Sequence, residues 1–116
     1  MAENTVIILN GLPKNSLNNW YSQKGHWSKR NKMKDDYFWL IKAQTKKVFP
    51  KNRQYEVDYE FHFRIKPLDA SNCIGLCKMI EDTLFEDDKW DVVRKISLSS
   101  TKDKSDFVKI TVTYLD

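Results

Sequence analysis

From Tyr55 to Lys66 apolar and polar residues alternate without a break, Tyr55, Val57, Tyr59, Phe61, Phe63 and Ile65 against Glu56, Asp58, Glu60, His62, Arg64 and Lys66. A period of two sends successive side chains to opposite faces, so this segment predicts a long, half-buried strand. His62 falls on its polar face, where it reads as a solvated strand residue rather than a catalytic base. Thr5 to Leu9 predicts a short buried strand, closed by Asn10-Gly11 and Pro13. Val92 to Leu98 and Phe107 to Leu115 predict two more. The last of these turns Val108, Ile110, Val112 and Tyr114 inward, and the polar run Ser99 to Asp106 between the two suits a hairpin turn.

Two segments carry the helical period instead. Ser28 is placed to cap a helix from about Lys29 to Val48, halted by Pro50. Met33, Tyr37, Leu40, Ile41 and Gln44 mark its packed face, and Lys34, Lys42, Lys46 and Lys47 mark other faces. After Pro67 ends the long strand, Ser71 to Phe85 predicts a second helix. Its stripe is Cys73, Cys77, Ile80 and Leu84, with Lys78, Glu81 and Asp82 on a different side. The order is β-α-β-α-β-β. It predicts an α+β fold, a mixed, largely antiparallel four-stranded sheet covered by two helices. With no repeat, low-complexity tract or boundary, residues 1–116 read as one domain.

Composition adds a partner class. Twenty Lys and Arg against 16 Asp and Glu give a net charge of +4, and several of the acids are concentrated between Asp69 and Asp91. The remainder is more basic than the total, which suits a polyanion such as nucleic acid as well as an ordinary basic protein. Neither a secretory leader nor an apolar run long enough to span a bilayer is evident, so no membrane association and a cytoplasmic setting are expected. Cys73 and Cys77 lack a second Cys or His pair at zinc spacing and are expected in the core.

The chemistry-bearing residues gather around the second helix. Asp69, Ser71 and Asn72 precede it, Lys78 and Asp82 lie on it, and Asp87-Asp88 follow it. Hard oxygen donors flanking one helix in a basic chain suit Mg²⁺, with Mn²⁺ as the alternative ion, and so point to a nuclease. Asp69 and Asp88 are the first choice of ligands, able to converge if the strand after the helix pairs beside the long strand. Each residue has a plainer role beside this one. Asp69 can favour the first turn's dipole, Ser71 can cap the helix, and Asp87-Asp88 can form a loop turn. Lys78 and Asp82 can form an intrahelical pair contributing roughly 0.2–0.5 kcal/mol. Between Lys14 and Lys32, read as a long loop, Trp20, Tyr21 and Trp27 are interleaved with Lys14, Asn19, Lys24, Lys29, Arg30 and Lys32. Such a loop can hold phosphates while a ring stacks on an unpaired base, or its rings can cover the core.

The run Asp69-Ala70-Ser71-Asn72, then Lys78, Asp82-Thr83-Leu84 and Asp87-Asp88, resembles the signature of the RusA family of Holliday-junction resolvases, small endonucleases of phages and prophages. Leu12-Pro13, Asn18-Asn19 and Ser28 before a Lys-rich helix follow that family's order of elements. The resemblance implies a phage- or prophage-encoded homodimer that binds four-way junctions and cuts two opposed strands, using Mg²⁺ or Mn²⁺ held by aspartates. Asp69, Lys78 and Asp88 take the catalytic roles, Asp69, Asp87 and Asp88 the metal, and Ser71, Asn72 and Asp82 supporting roles. Ser71 stands where the family has a second aspartate, and Lys78 follows Asn72 by six residues rather than three. A branched-DNA binding protein that has lost cleavage with that ligand is the alternative.

Overall fold

The fold comes from a computed structural model describing residues 3–13 and 27–115, with side chains from residue 32 in the second span. Strand β1 (Asn4–Asn10) leads to helix α1 (Trp27–Gln44) and strand β2 (Tyr55–Phe63). A 3₁₀ turn (Ala70–Cys73) then runs into helix α2 (Ile74–Leu84), followed by strands β3 (Val93–Lys102) and β4 (Phe107–Tyr114). This is an α+β chain with a four-stranded mixed sheet and two helices, in the expected order of elements. The sheet runs β1-β4-β2-β3, with β4 antiparallel to both neighbours and β2 parallel to β3.

Register explains why one face packs. Ile7 lies opposite Ile110, Ile110 opposite Tyr59, and Val112 opposite Val57, so the inward positions of three strands share a face. On that face Tyr55, Tyr59 and Ile110 are fully shielded, together with Tyr37 and Ile41 of α1 and Ile80 and Leu84 of α2. Val6 and Ile8 on the opposite face of β1 remain about half exposed. No described helix is long and apolar enough to cross a membrane.

Four boundaries differ from expectation. β3 runs to Lys102, past Leu98 and into the stretch expected as a turn. α1 begins at Trp27, ahead of the expected start at Lys29, so residues 29–32, read both as the end of the loop and as the start of the helix, are helical. Once Tyr37 and Ile41 anchor the helix, extending it through Lys- and Arg-rich residues of good helical propensity is easy. At its other end α1 stops at Gln44, short of Val48. The Gln44 amide accepts from the Asn10 backbone N–H at 2.6 Å and donates to the Asn10 carbonyl at 2.9 Å. The released chain carries Phe49 into the core, where it bridges to Phe85 at the end of α2 and stacks on its ring with centroids 5.0 Å apart. The long strand ends at Phe63, and Ile65 is exposed.

The expected hairpin between the last two strands is absent. β3 and β4 are not paired but flank β2, so residues 103–106 cross over the end of that strand. Two bonds hold the crossing in place: Asp103 N–H donates to the Phe63 carbonyl at 2.9 Å, and Arg64 N–H to Asp106 Oδ1 at 2.8 Å. Parallel neighbours need a long connection, and α2 with its flanking loops supplies it between β2 and β3. His62 is not solvated either. Its ring lies flat on Phe107 at 4.2 Å, and Nδ1 sits 2.9 Å from Asp103 without the alignment of a hydrogen bond.

Both cysteines are in the core as expected, each almost completely shielded. Burial, assisted by nearby Asp69, pushes the Cys73 thiol up to about 11, and burial with nearby Glu81 pushes Cys77 higher still. Since the thiolate is the reactive form, a disulfide reagent at about pH 8 is expected to label neither thiol in the native chain and both after denaturation. Rapid native labelling would show that the α2 stripe opens readily.

Candidate active site

The β2-α2-β3 unit positions the candidate residues. Because β3 pairs beside β2 in parallel, α2 carries the chain back and the loop after it leads into the start of β3. Tyr55 N–H donates to the Val92 carbonyl at 2.8 Å, closing that return, and Val92 is buried. The segment ahead of the helix is fixed from the opposite end, where the Ser100 hydroxyl of β3 donates to the Leu68 carbonyl.

The returning loop brings Asp88 back to Lys78, ten positions earlier and little more than one turn into α2. The Lys78 ammonium donates to Asp88 Oδ2 and stands 3.8 Å from Asp82 Oδ1. Lys78 thus stands beside Asp82, as the intrahelical reading expects, with Asp88 the nearer partner. That hydrogen bond, against the opposing effect of partial burial, holds the Lys78 ammonium above its usual range, and the charges of Asp88, Asp82 and Glu81 add to it. Asp87 is turned toward its own loop. Its Oδ1 accepts the Lys89 N–H at 3.1 Å, and its carboxylate lies 3.5 Å from the Lys89 ammonium.

Asp69 lies ahead of the 3₁₀ turn, exposed, with its carbonyl accepting from Asn72 N–H at 2.9 Å. Its carboxylate makes no hydrogen bond to the turn, and among the described residues no ion pair joins it to Lys78. Ser71 is not a cap, because the 3₁₀ turn begins before it and the α-helix only after Cys73. Asn72 is half-buried and Asp82 exposed. Among the described residues no three His, Cys, Asp or Glu side chains form a metal-ligand group. Asp69, Asp87 and Asp88 are thus not preassembled as a three-carboxylate site.

Glu81 was expected on the polar side of the helix, yet it is buried, only 8% exposed. Tyr59 of the central strand donates its phenolic hydrogen to Glu81 Oε2 at 2.8 Å. Burial raises the Glu81 carboxyl above its usual range, opposed by the Tyr59 bond and raised further by Asp88. Burial and the Glu81 charge hold the Tyr59 hydroxyl well above its own usual range. A signal for the pair was present. Glu81 falls beside Cys77, Ile80 and Leu84 on a wide helical stripe, and a tyrosine among inward strand residues needs a partner for its hydroxyl.

A stability consequence follows from the raised Glu81. Its folded-state proton affinity exceeds the unfolded one, so its contribution is complete below the ordinary glutamate range and is lost as pH climbs through the raised value. Melting curves taken between about pH 4 and pH 8 should show wild type losing stability relative to Glu81→Gln as pH rises. Parallel curves would mean that Glu81 is as well solvated when folded as when unfolded.

Of the expected DNA contacts, Lys14, Asn19, Trp20 and Lys24 lie outside the described residues. Trp27, Lys29 and Arg30 fall in the first turn of α1, where only the backbone is described. Lys32 is exposed and paired with Asp36 at 3.2 Å. A scan against protein-family models returns no match for this chain, and a search of curated proteins returns none either.

Proposed function

We propose that this chain is a RusA-like, divalent-metal-dependent endonuclease that acts on branched DNA, as a twofold dimer whose two sites address two opposed strands. The observation that carries the reading is the Lys78–Asp88 pair. It joins a cation and a carboxylate from the two halves of the motif, beside Asp82 and above the buried Glu81.

The donors suit a hard cation. Asp88 already holds one, the ammonium of Lys78, and Mg²⁺ commonly takes only one or two protein carboxylates while keeping its waters and binding substrate phosphate. Asp88 and Asp69 would hold the ion, with Asp87 as a further oxygen donor. When bound, such an ion polarises the phosphate and lowers the proton affinity of water. Lys78 supplies positive charge that does not depend on the ion. A lysine ammonium is charged throughout the neutral range, so it can pass from Asp88 to a phosphate oxygen and stabilise charge there. Tyr59 and Glu81 fix the helix turn from which Lys78 projects.

A second reading, a branched-DNA binding protein without cleavage, is favoured by Ser71 at a ligand position and by the lack of a three-acid group among the described residues. Incubating a mobile four-way junction with wild type or Asp69→Asn, with and without Mg²⁺, separates the two. Metal-dependent cutting by wild type that Asp69→Asn loses, while still binding the junction, supports the nuclease. Binding without cutting by wild type supports the alternative, and persistent cutting by Asp69→Asn removes Asp69 from the site.

A further inference from the structure

Trp90 stands two positions beyond Asp88 with 78% of its surface exposed, more than any other large hydrophobic residue described. A tryptophan in a core buries about 150–250 Å². Leaving one in water beside the candidate site forgoes that stabilisation. The turn that carries it is nonetheless well tied: the N–H groups of Val92 and Val93 both donate to the Lys89 carbonyl, at 2.9 and 3.0 Å. Buried Val92 then seats the turn in the core.

Among the described residues the ring has a cationic neighbour. The Arg94 guanidinium lies over it, 5.7 Å from a ring centroid, and Arg94 Nη1 also donates to Gln54 Oε1 at 3.2 Å. Arg94 is therefore held from β2's approach and backs the indole, while most of the ring still meets water. Lys89 and Lys95 stand exposed on either side in sequence; Asp88 is paired with Lys78 and Asp87 with Lys89, while Asp91, next to Trp90 in sequence, is exposed. Aromatic surface, a backing guanidinium and exposed lysines are the elements of a stacking platform for unpaired bases. Stacking is tolerant of sequence because every base offers a π-face, and the cations hold the adjoining phosphates.

Resting on the nuclease reading above, we infer that Trp90, backed by Arg94, is a stacking platform that takes an unpaired nucleobase next to the phosphate held at Lys78 and Asp88. Consecutive Cα atoms are about 3.8 Å apart, so the Trp90 and Asp88 backbones lie at most about 7–8 Å from one another. Selectivity for branched DNA then arises beside the cutting site, since a paired and stacked duplex offers no free base there.

The test uses the full chain in chelator, so that nothing is cut, with fluorescence anisotropy on a labelled four-way junction, an oligothymidine strand and a linear duplex. Trp90→Ala is expected to weaken junction and oligothymidine binding roughly tenfold while leaving duplex binding within about twofold, and Trp90→Phe to restore most of the loss. Because the side chain is exposed, both variants should melt with wild type. Equal affinity of Trp90→Ala and wild type for the junction overturns the platform. So does an equal loss on all three DNAs, or failure of Trp90→Phe to restore binding. These outcomes leave the nuclease reading standing if wild type still cuts junctions in Mg²⁺. A wild-type chain that binds none of the three overturns both.

Discussion

Replacing Asp88 by Asn is expected to reduce Mg²⁺-dependent cutting of a four-way junction by at least about a hundredfold to a thousandfold, the range seen when one charge-stabilising group is removed from a catalytic site. Asparagine preserves the shape of the side chain and withdraws its charge. A bound divalent ion would lose a proposed ligand, and Lys78 loses the partner that chiefly raises its proton affinity. Junction binding should stay within a few-fold of wild type, because the lysines proposed to contact the DNA backbone are untouched and one acid fewer reduces repulsion. The fold should hardly notice. Lys78 is half exposed, and ion pairs in such positions contribute at most about 1 kcal/mol. Single-turnover cutting with a parallel binding titration checks this, and Asp88→Asn that cuts at the wild-type rate removes the loop acid from the mechanism.

Phe49→Ala should be the most destabilising of the substitutions considered, by about 3–5 kcal/mol. Phe49 is fully shielded, with ring centroids 5.0 Å from Phe85, 5.5 Å from Tyr55 and 6.2 Å from Tyr114. Its backbone adds to the role: Phe49 N–H donates to the Leu84 carbonyl at 2.7 Å, and Glu86 N–H donates to the Phe49 carbonyl at 2.9 Å. One residue therefore ties the chain leaving α1 to the end of α2, where the loop toward Asp88 begins. Domains are commonly stable by about 5–15 kcal/mol, so the loss is a large fraction of the total. Urea unfolding measures it directly, and a loss under about 1 kcal/mol would mean that the aromatic cluster closes over the gap.

Those two predictions draw on features that differ in how plainly the chain announces them. The alternation from Tyr55 and the stripe Cys73, Cys77, Ile80 and Leu84 are local periods, and each is realised as a buried face. They suffice for the α+β class and the order of elements. Phe49 is different. It falls between the expected end of a helix at Val48 and the Pro50 that halts it, and its importance comes from a bridge to Phe85, distant in sequence. Strand pairing is hidden for the same reason. β3 and β4 are adjacent in the chain and joined by a polar stretch, which suggests a hairpin, but period two does not say which neighbour a strand takes. Each instead pairs with β2, and the parallel β2–β3 pair places the loop that carries Asp87 and Asp88 between the end of α2 and the start of β3.

The candidate site divides similarly. The residue types and spacing around α2 show which groups are available, and the Lys78–Asp88 contact is the tertiary event that unites two of them. Glu81 was assigned to the solvent side because a charged residue on a helix normally is. The phenol of Tyr59 reverses that expectation by giving the carboxyl a buried partner. Trp90 was passed over because a lone tryptophan in an acidic loop has no period to mark it. Only its exposure and the guanidinium over its ring distinguish it from a core residue.

The most direct measurement is to incubate the full chain with a four-way junction labelled in turn on each strand, in Mg²⁺, and to map the cut positions. Phosphodiester hydrolysis at a site built on Lys78 and Asp88 predicts nicks at symmetry-related positions in two opposed strands, none in chelator and none in a linear duplex of the same sequence. Four intact strands at saturating protein, or equal cutting of the duplex, would contradict it.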